Sequence, residues 1–264
     1  MSLYSDLSVE RRDDGVVVVT LDNPAKRNAM SDEMTQSWAR LIEELRTDRD
    51  ARALLVTGAG RAFCSGGDTG WIGSEPDAPV DHLRTRMIAF YRQWLSVRDL
   101  EIPTIAAVNG AAVGAGLCLA LACDLRYAPP QARLGAPFTS LGMHPGMAAT
   151  WLLPEVVGLA TARELLLTGR IVQAEEACEL GLVNRVLPED GFLEAATDIA
   201  ATIAAAAPIP TRYTTTALRQ GGHASFEAAV QWEALAQPIT LATADLQEGL
   251  AAAREKRRPS FTGR

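Results

Sequence analysis

The chain has no Cys-x-x-Cys pair. Its four cysteines stand at 64, 118, 123 and 178, and its three histidines at 82, 144 and 223. Such scattered positions offer no zinc-ligand pattern and no disulfide framework, so no metal is expected. Basic residues are not in excess: the net charge is −7 and the pI near 5.1, which removes the global electrostatic case for nucleic acid. Long apolar runs are missing too. The alanine-rich stretch 199–207 is too short to span a bilayer. Residues 1–6 lack the basic and apolar regions of a signal peptide. The expectation is a soluble cytoplasmic protein with no membrane partner. There is no internal repeat and no Walker-type Gly-Lys-Ser/Thr.

What is present is an ordinary globular composition. The 264 residues, 48% hydrophobic and 22% charged, suffice for one large domain, or for one domain plus a helical appendage. Val16-Val17-Val18-Val19-Thr20-Leu21 is a β-branched run after Asp14-Gly15 and reads as a buried strand. Residues 31–46 carry apolar side chains at helical spacing. Ala53-Leu54-Leu55-Val56-Thr57 is the next strand, and residues 69–81, with Gly70, Gly73, Pro76 and Pro79, read as a mobile loop. A helix is expected over 80–98, a strand over 104–108, a short buried helix over 117–122 and a strand over 123–128. This alternation predicts an α/β fold. From residue 190 the pattern is helical. Pro208 and Pro210 mark a break before helices near 211–220, 225–241 and 245–256.

Two glycine-rich turns each follow a strand-like run. The first is Phe63-Cys64-Ser65-Gly66-Gly67-Asp68. The second is Asn109-Gly110-Ala111-Ala112-Val113-Gly114-Ala115-Gly116. A dinucleotide fingerprint is disfavoured. Gly58-Ala59-Gly60 and Gly114-Ala115-Gly116 both lack the third glycine, with Phe63 and Leu119 in its place. What such turns offer is bare backbone N–H, and two donors converging on one oxygen stabilise charge that develops during reaction.

These turns, with Leu21-Asp22-Asn23-Pro24-Ala25-Lys26-Arg27-Asn28-Ala29, Leu167-Thr168-Gly169-Arg170 and Glu255-Lys256-Arg257-Arg258-Pro259, run nearly the length of the chain. In that order they resemble the enoyl-CoA hydratase/isomerase (crotonase) superfamily. The resemblance implies a spiral of ββα units over 1–207 and a C-terminal helical trimerisation region over 208–264. It implies a homotrimer or dimer of trimers, and no cofactor beyond the coenzyme A of an acyl-CoA thioester. By position, the oxyanion donors map to the N–H groups of Gly67 and Ala115. The CoA arm maps to Lys26, Arg27, Ala29, Ser65, Gly66 and Asp68, with Lys256 reaching its phosphates from a neighbouring subunit. Asp68 also reads as a turn brace, and Lys256-Arg257-Arg258 as a solvated helix end.

The pattern breaks at the acid–base positions. Hydratases of the family carry two glutamates where this chain has Cys118 and Phe138. The Cys118 thiol is a weak candidate whose pKa a helix start could lower, or else a small buried hydrophobe. Phe138 moves no protons but dries the acyl pocket. His144 is the candidate acid/base, since imidazole titrates near neutral pH; the alternative is a loop histidine bonded to backbone. Glu75 and His82 flank the expected loop, and Asp124 reads as structural. A single proton shuttle suits double-bond isomerisation or other enolate chemistry better than two-glutamate hydration. The rivals are an acyl-CoA binding protein without turnover, and a CoA-thioester hydrolase or decarboxylase.

Overall fold

The computed structural model describes residues 4–219 and 225–264, so His223 lies outside the described residues. Strands β1 (Leu7–Arg11) and β2 (Val16–Leu21) lead into α1 (Asp32–Thr47). Then come β3 (Ala53–Gly58), β4 (Ala62–Cys64), α2 (Thr69–Ile72) and α3 (Val80–Leu95). The pattern repeats in β5 (Thr104–Ala107), β6 (Ala111–Val113) and α4 (Ala115–Ala122). It repeats again in β7 (Leu125–Ala128), β8 (Arg133–Gly135) and α5 (Ala149–Thr168). Elements β9 (Ile171–Gln173), α6 (Ala174–Glu179), β10 (Arg185–Val186) and α7 (Phe192–Ala204) close the α/β part. Three helices follow, α8 (Pro208–Arg219), α9 (Phe226–Leu241) and α10 (Ala244–Glu255).

The first unit gives both its strands to the larger of two sheets, and each of the three that follow gives one strand to each. The larger has the order β1-β2-β3-β5-β7-β10, and the smaller β4-β6-β8-β9. Pairing is parallel except for β1 with β2 and β8 with β9. The larger sheet is covered on both faces, which is why β2 reads as an unbroken apolar run. Val17 and Val19 enter the main core with Trp38, Leu54 and Val56. Val16 and Val18 point the other way, into a second cluster with Ile105 and α7. Helix α7 offers that cluster Phe192, Ala196, Ala200 and Ala204, one per turn.

Two expectations are corrected. Residues 69–81 are not all loop. Asp68 accepts from the N–H groups of Gly70 and Trp71 and so caps the single turn of α2. The break before the C-terminal helices falls at residues 205–207, so Pro208 and Pro210 do not precede the next helix but belong to it. Both lie in the first turn of α8, where a missing N–H leaves no bond unmade. Helix α5 is broken at Gly158, whose φ of 76° is not helical. Among the described residues no single helix is long and apolar enough to cross a membrane.

One buried side chain ties the loop 23–28 to the connection between β3 and β4. Asn28 is fully buried. Its amide donates to Ala59 O at 2.9 Å and Ala62 O at 2.8 Å, and its carbonyl accepts from Asn23 N at 2.9 Å. Truncation strands three backbone groups. Asn28→Ala is expected to destabilise by about 3 kcal/mol. In a thermal melt that lowers Tm by roughly 6–12 °C, and a shift under about 2 °C would contradict it.

Candidate active site

The two glycine turns are brought together by the smaller sheet. Strands β4 and β6 are parallel neighbours, so the chain leaves both at the same end. Residues 65–68 therefore run beside 114–116. Gly66 has φ 101° and presses on the second turn: a Cβ there would stand 2.9 Å from Val113 O and 3.4 Å from Ala115 N. Gly116 meets the first turn as closely, its missing Cβ lying against the Cys64 carbonyl. Only glycine permits this approach from both sides.

The free donors follow from the bonding. Met30 bridges Gly67 in parallel fashion, donating to Gly66 O at 2.8 Å and accepting from Asp68 N at 3.3 Å. A parallel bridge uses the flanking groups, so the N–H of Gly67 itself faces away from Met30. Ala115 is the first residue of α4. The Cys118 N–H finds Gly114 O at 3.1 Å, but the Ala115 N–H precedes that bond and has no intrahelical acceptor. The helix start adds positive potential there.

Gly67 and Ala115 both line a cavity of about 150 Å³, together with Trp71, Phe90, Phe138 and Met147. Its walls are chiefly apolar. The Phe138 ring sits over Gly114, 3.8 Å from where a Cβ would be. Trp71 and Phe90 have centroids 4.9 Å apart. Arg86 lies over Trp71 at 3.9 Å and donates to its carbonyl at 2.6 Å, which fixes α2 to α3.

The other sequence candidates divide. Lys26, Arg27 and Ala29 run along the first turn. Ser65 N donates to Arg27 O at 3.1 Å, and Lys26 Nζ pairs with Asp68 at 3.0 Å. Ser65 and Gly66 reach the cavity wall. The Lys26 ammonium and then the Trp71 and Gly70 N–H groups hold the Asp68 carboxyl below its ordinary range. These bonds are those of a turn brace.

His144 lines the cavity from its exposed side. Its Nδ1 is 2.8 Å from Pro145 O. A carbonyl only accepts, so Nδ1 carries the proton and Nε2 of the neutral ring is bare. Cys118 departs from the expectation of a lowered pKa. It is fully buried, its Sγ lies 3.7 Å from Gly146 O, and burial pushes the thiol up to about 12. Burial outweighs the helix start. Lys256 caps α10 with left-handed backbone and is not among the residues lining the cavity. Glu75 and His82 pair with each other at 2.7 Å and do not line it either. Asp124 accepts from Thr104 N and binds Arg219, a structural arrangement.

Sequence reasoning missed Met87, Phe90 and Tyr91, which also line the cavity. With buried Trp94 they form an i, i+3, i+4, i+7 stripe on α3, a signal present in the sequence.

Residues 11–264 match the family described as enoyl-CoA hydratase/isomerase. A protein named as a probable enoyl-CoA hydratase of Mycobacterium tuberculosis is 44% identical over 200 residues, 76% of this chain and 75% of its own. The crystal structure of an enoyl-CoA hydratase from Bacillus anthracis is 33% identical with a TM-score of 0.92, covering 98% of this chain and all of that one. One from Geobacillus kaustophilus is 31% identical with a TM-score of 0.90 and full coverage of both chains. With the family match over residues 11–264 and the fold in common over nearly the whole length, the chain belongs to the enoyl-CoA hydratase/isomerase family.

Proposed function

We propose that this protein is an acyl-CoA enzyme that holds a thioester enolate between the N–H groups of Gly67 and Ala115. What supports the reading is the pair of parallel strand ends, β4 and β6, which bring Gly67 and Ala115 to one apolar cavity. A hydrogen bond in such surroundings is stronger than in water, and most so to a charge that appears during reaction. An apolar cavity of roughly this volume takes a group the size of benzene, which favours a short or compact acyl chain. His144 Nε2 serves as the base. Because Cys118 and Phe138 supply no carboxylate, isomerase-like or other enolate chemistry is favoured over two-glutamate hydration. Lys26, Arg27, Ala29, Ser65, Gly66 and Asp68 form the CoA rim.

No residue of α9 is buried, and Phe226, Leu235 and Leu241 stand exposed on it. This supports self-association through the C-terminal helices as a trimer or dimer of trimers, with Lys256 serving a neighbour's CoA phosphates. The Lys26 charge acts on the ligand's phosphates at the surface. Lys26→Ala is expected to raise KM about fivefold with kcat unchanged. The difference shrinks as salt is added. A fall in kcat instead would contradict this role.

The second reading, an acyl-CoA binder without turnover, draws on the apolar cavity wall, with Phe138 where a hydratase of the family carries a glutamate. Calorimetry with acyl-CoAs, run beside a turnover screen of enoyl-, dienoyl- and β-keto-acyl thioesters, separates the two. Turnover of at least one class is expected. Tight binding with no turnover of any would favour the binder.

A further inference from the structure

Gly146 forms part of the cavity wall, and any side chain there would collide with the Tyr91 hydroxyl. The absent Cβ is the space that this oxygen occupies. Tyr91 is half-buried, its ring edge-on to Phe90 with centroids 6.2 Å apart. Tyr91 lines the cavity together with Gly67, Ala115 and His144. Met147 and Ala148 both have left-handed backbone, φ 53° and 54°. For a residue other than glycine that conformation is disfavoured. The strained turn directly follows Gly146, against which the phenol packs. Strain of this kind is retained where the surrounding structure uses it. The Cys118 thiol is engaged with Gly146 O and does not take the phenolic proton.

We propose that Tyr91 is the proton donor to the acyl carbon, paired with His144 as base; this rests on the enolate reading above. His144 Nε2 takes a proton from one acyl carbon. The electron pair of that C–H bond becomes the enolate, and its oxygen is held by Gly67 and Ala115. The enolate then forms a new C–H bond at another carbon with the Tyr91 proton, and the O–H pair stays on oxygen as phenolate. The imidazolium proton returns to the phenolate, so nothing is oxidised and both groups are restored. Burial, with the nearby Cys118 adding to it, raises the phenol above its ordinary range, which keeps it protonated at neutral pH. A donor held in the space left by Gly146 also delivers its proton to one place, which sets the product's double-bond position.

Tyr91→Phe removes one oxygen and tests this. The expected result is a loss of kcat for double-bond migration of about 10²-fold. Acyl-CoA affinity stays unchanged and proton exchange at the acyl α-carbon in heavy water is retained, because the first half of the reaction does not use Tyr91. A kcat within about twofold of wild type overturns the Tyr91 assignment alone. Absence of exchange in the wild-type protein fails the enolate reading itself and takes Tyr91 with it. A ring-fluorinated tyrosine at position 91 keeps the shape but makes the phenol more acidic. The alkaline limb of kcat then moves to lower pH, and an unmoved limb overturns the assignment even where Tyr91→Phe does not fold.

Discussion

Ala115→Pro is expected to lower kcat/KM for acyl-CoA turnover by about 10³-fold while the protein stays folded. Few single changes remove a backbone donor so selectively. Ala115 is the first residue of α4, in the first turn, where proline breaks no intrahelical hydrogen bond. The preceding residue must avoid the α region when proline follows, and Gly114, at φ 56° and ψ −120°, already does. The substitution deletes one of two donors, which alone is worth about 3 kcal/mol in precedents of this kind. Its ring also enters the space where the thioester oxygen would sit. Steady-state kinetics beside circular dichroism checks the result. A folded Ala115→Pro protein with wild-type kcat/KM would remove the Ala115 N–H from the mechanism.

The second large effect is a missing activity. Water addition to an enoyl thioester needs one group to activate water and another to protonate carbon, and each positioned group contributes about 10²–10⁴-fold. At the two positions where the family resemblance implies carboxylates, this chain offers a buried thiol raised to about 12 and a phenyl ring. Hydration of crotonyl-CoA is therefore expected to run about 10⁴-fold below the rate of enzymes that carry both groups. The fall in absorbance of the enoyl thioester measures it. Rapid hydration that survives His144→Ala would show that some other pair of groups handles water here.

Much of the fold was legible because burial on both faces of the larger sheet writes itself as β-branched runs. Val16–Leu21 and Ala53–Gly58 are such runs. The smaller sheet was not. Strands β4, β6 and β8 have three residues each, too few for a period to show. Yet this sheet is what juxtaposes the two turns. The turns themselves stood out through their glycines, but which N–H stays unbonded depends on the Met30–Gly67 bridge, a contact between segments 37 residues apart in sequence that no local pattern encodes. Helix α2 was hidden by Gly70 and Gly73, although Asp68 ahead of it is a recognisable cap. For Cys118 the buried-hydrophobe reading holds over that of a lowered thiol; a helix start is visible in sequence, whereas the complete burial that outweighs it depends on packing by Gly146 and its neighbours. Tyr91 went unnoticed since an aromatic in an apolar helical stripe reads as core. Its hydroxyl matters only because residue 146 is glycine, on a loop 55 residues later.

The central claim is that this site forms and holds an enolate, and proton exchange tests it without knowledge of the natural reaction. Saturated and unsaturated acyl-CoA thioesters incubated with the protein in heavy water are followed by proton NMR at the acyl α-carbon. The account predicts protein-dependent incorporation of deuterium there, reduced in Ala115→Pro. Tight binding of the same thioesters with no exchange above the buffer rate would contradict it and leave the two glycine turns as a binding cradle alone.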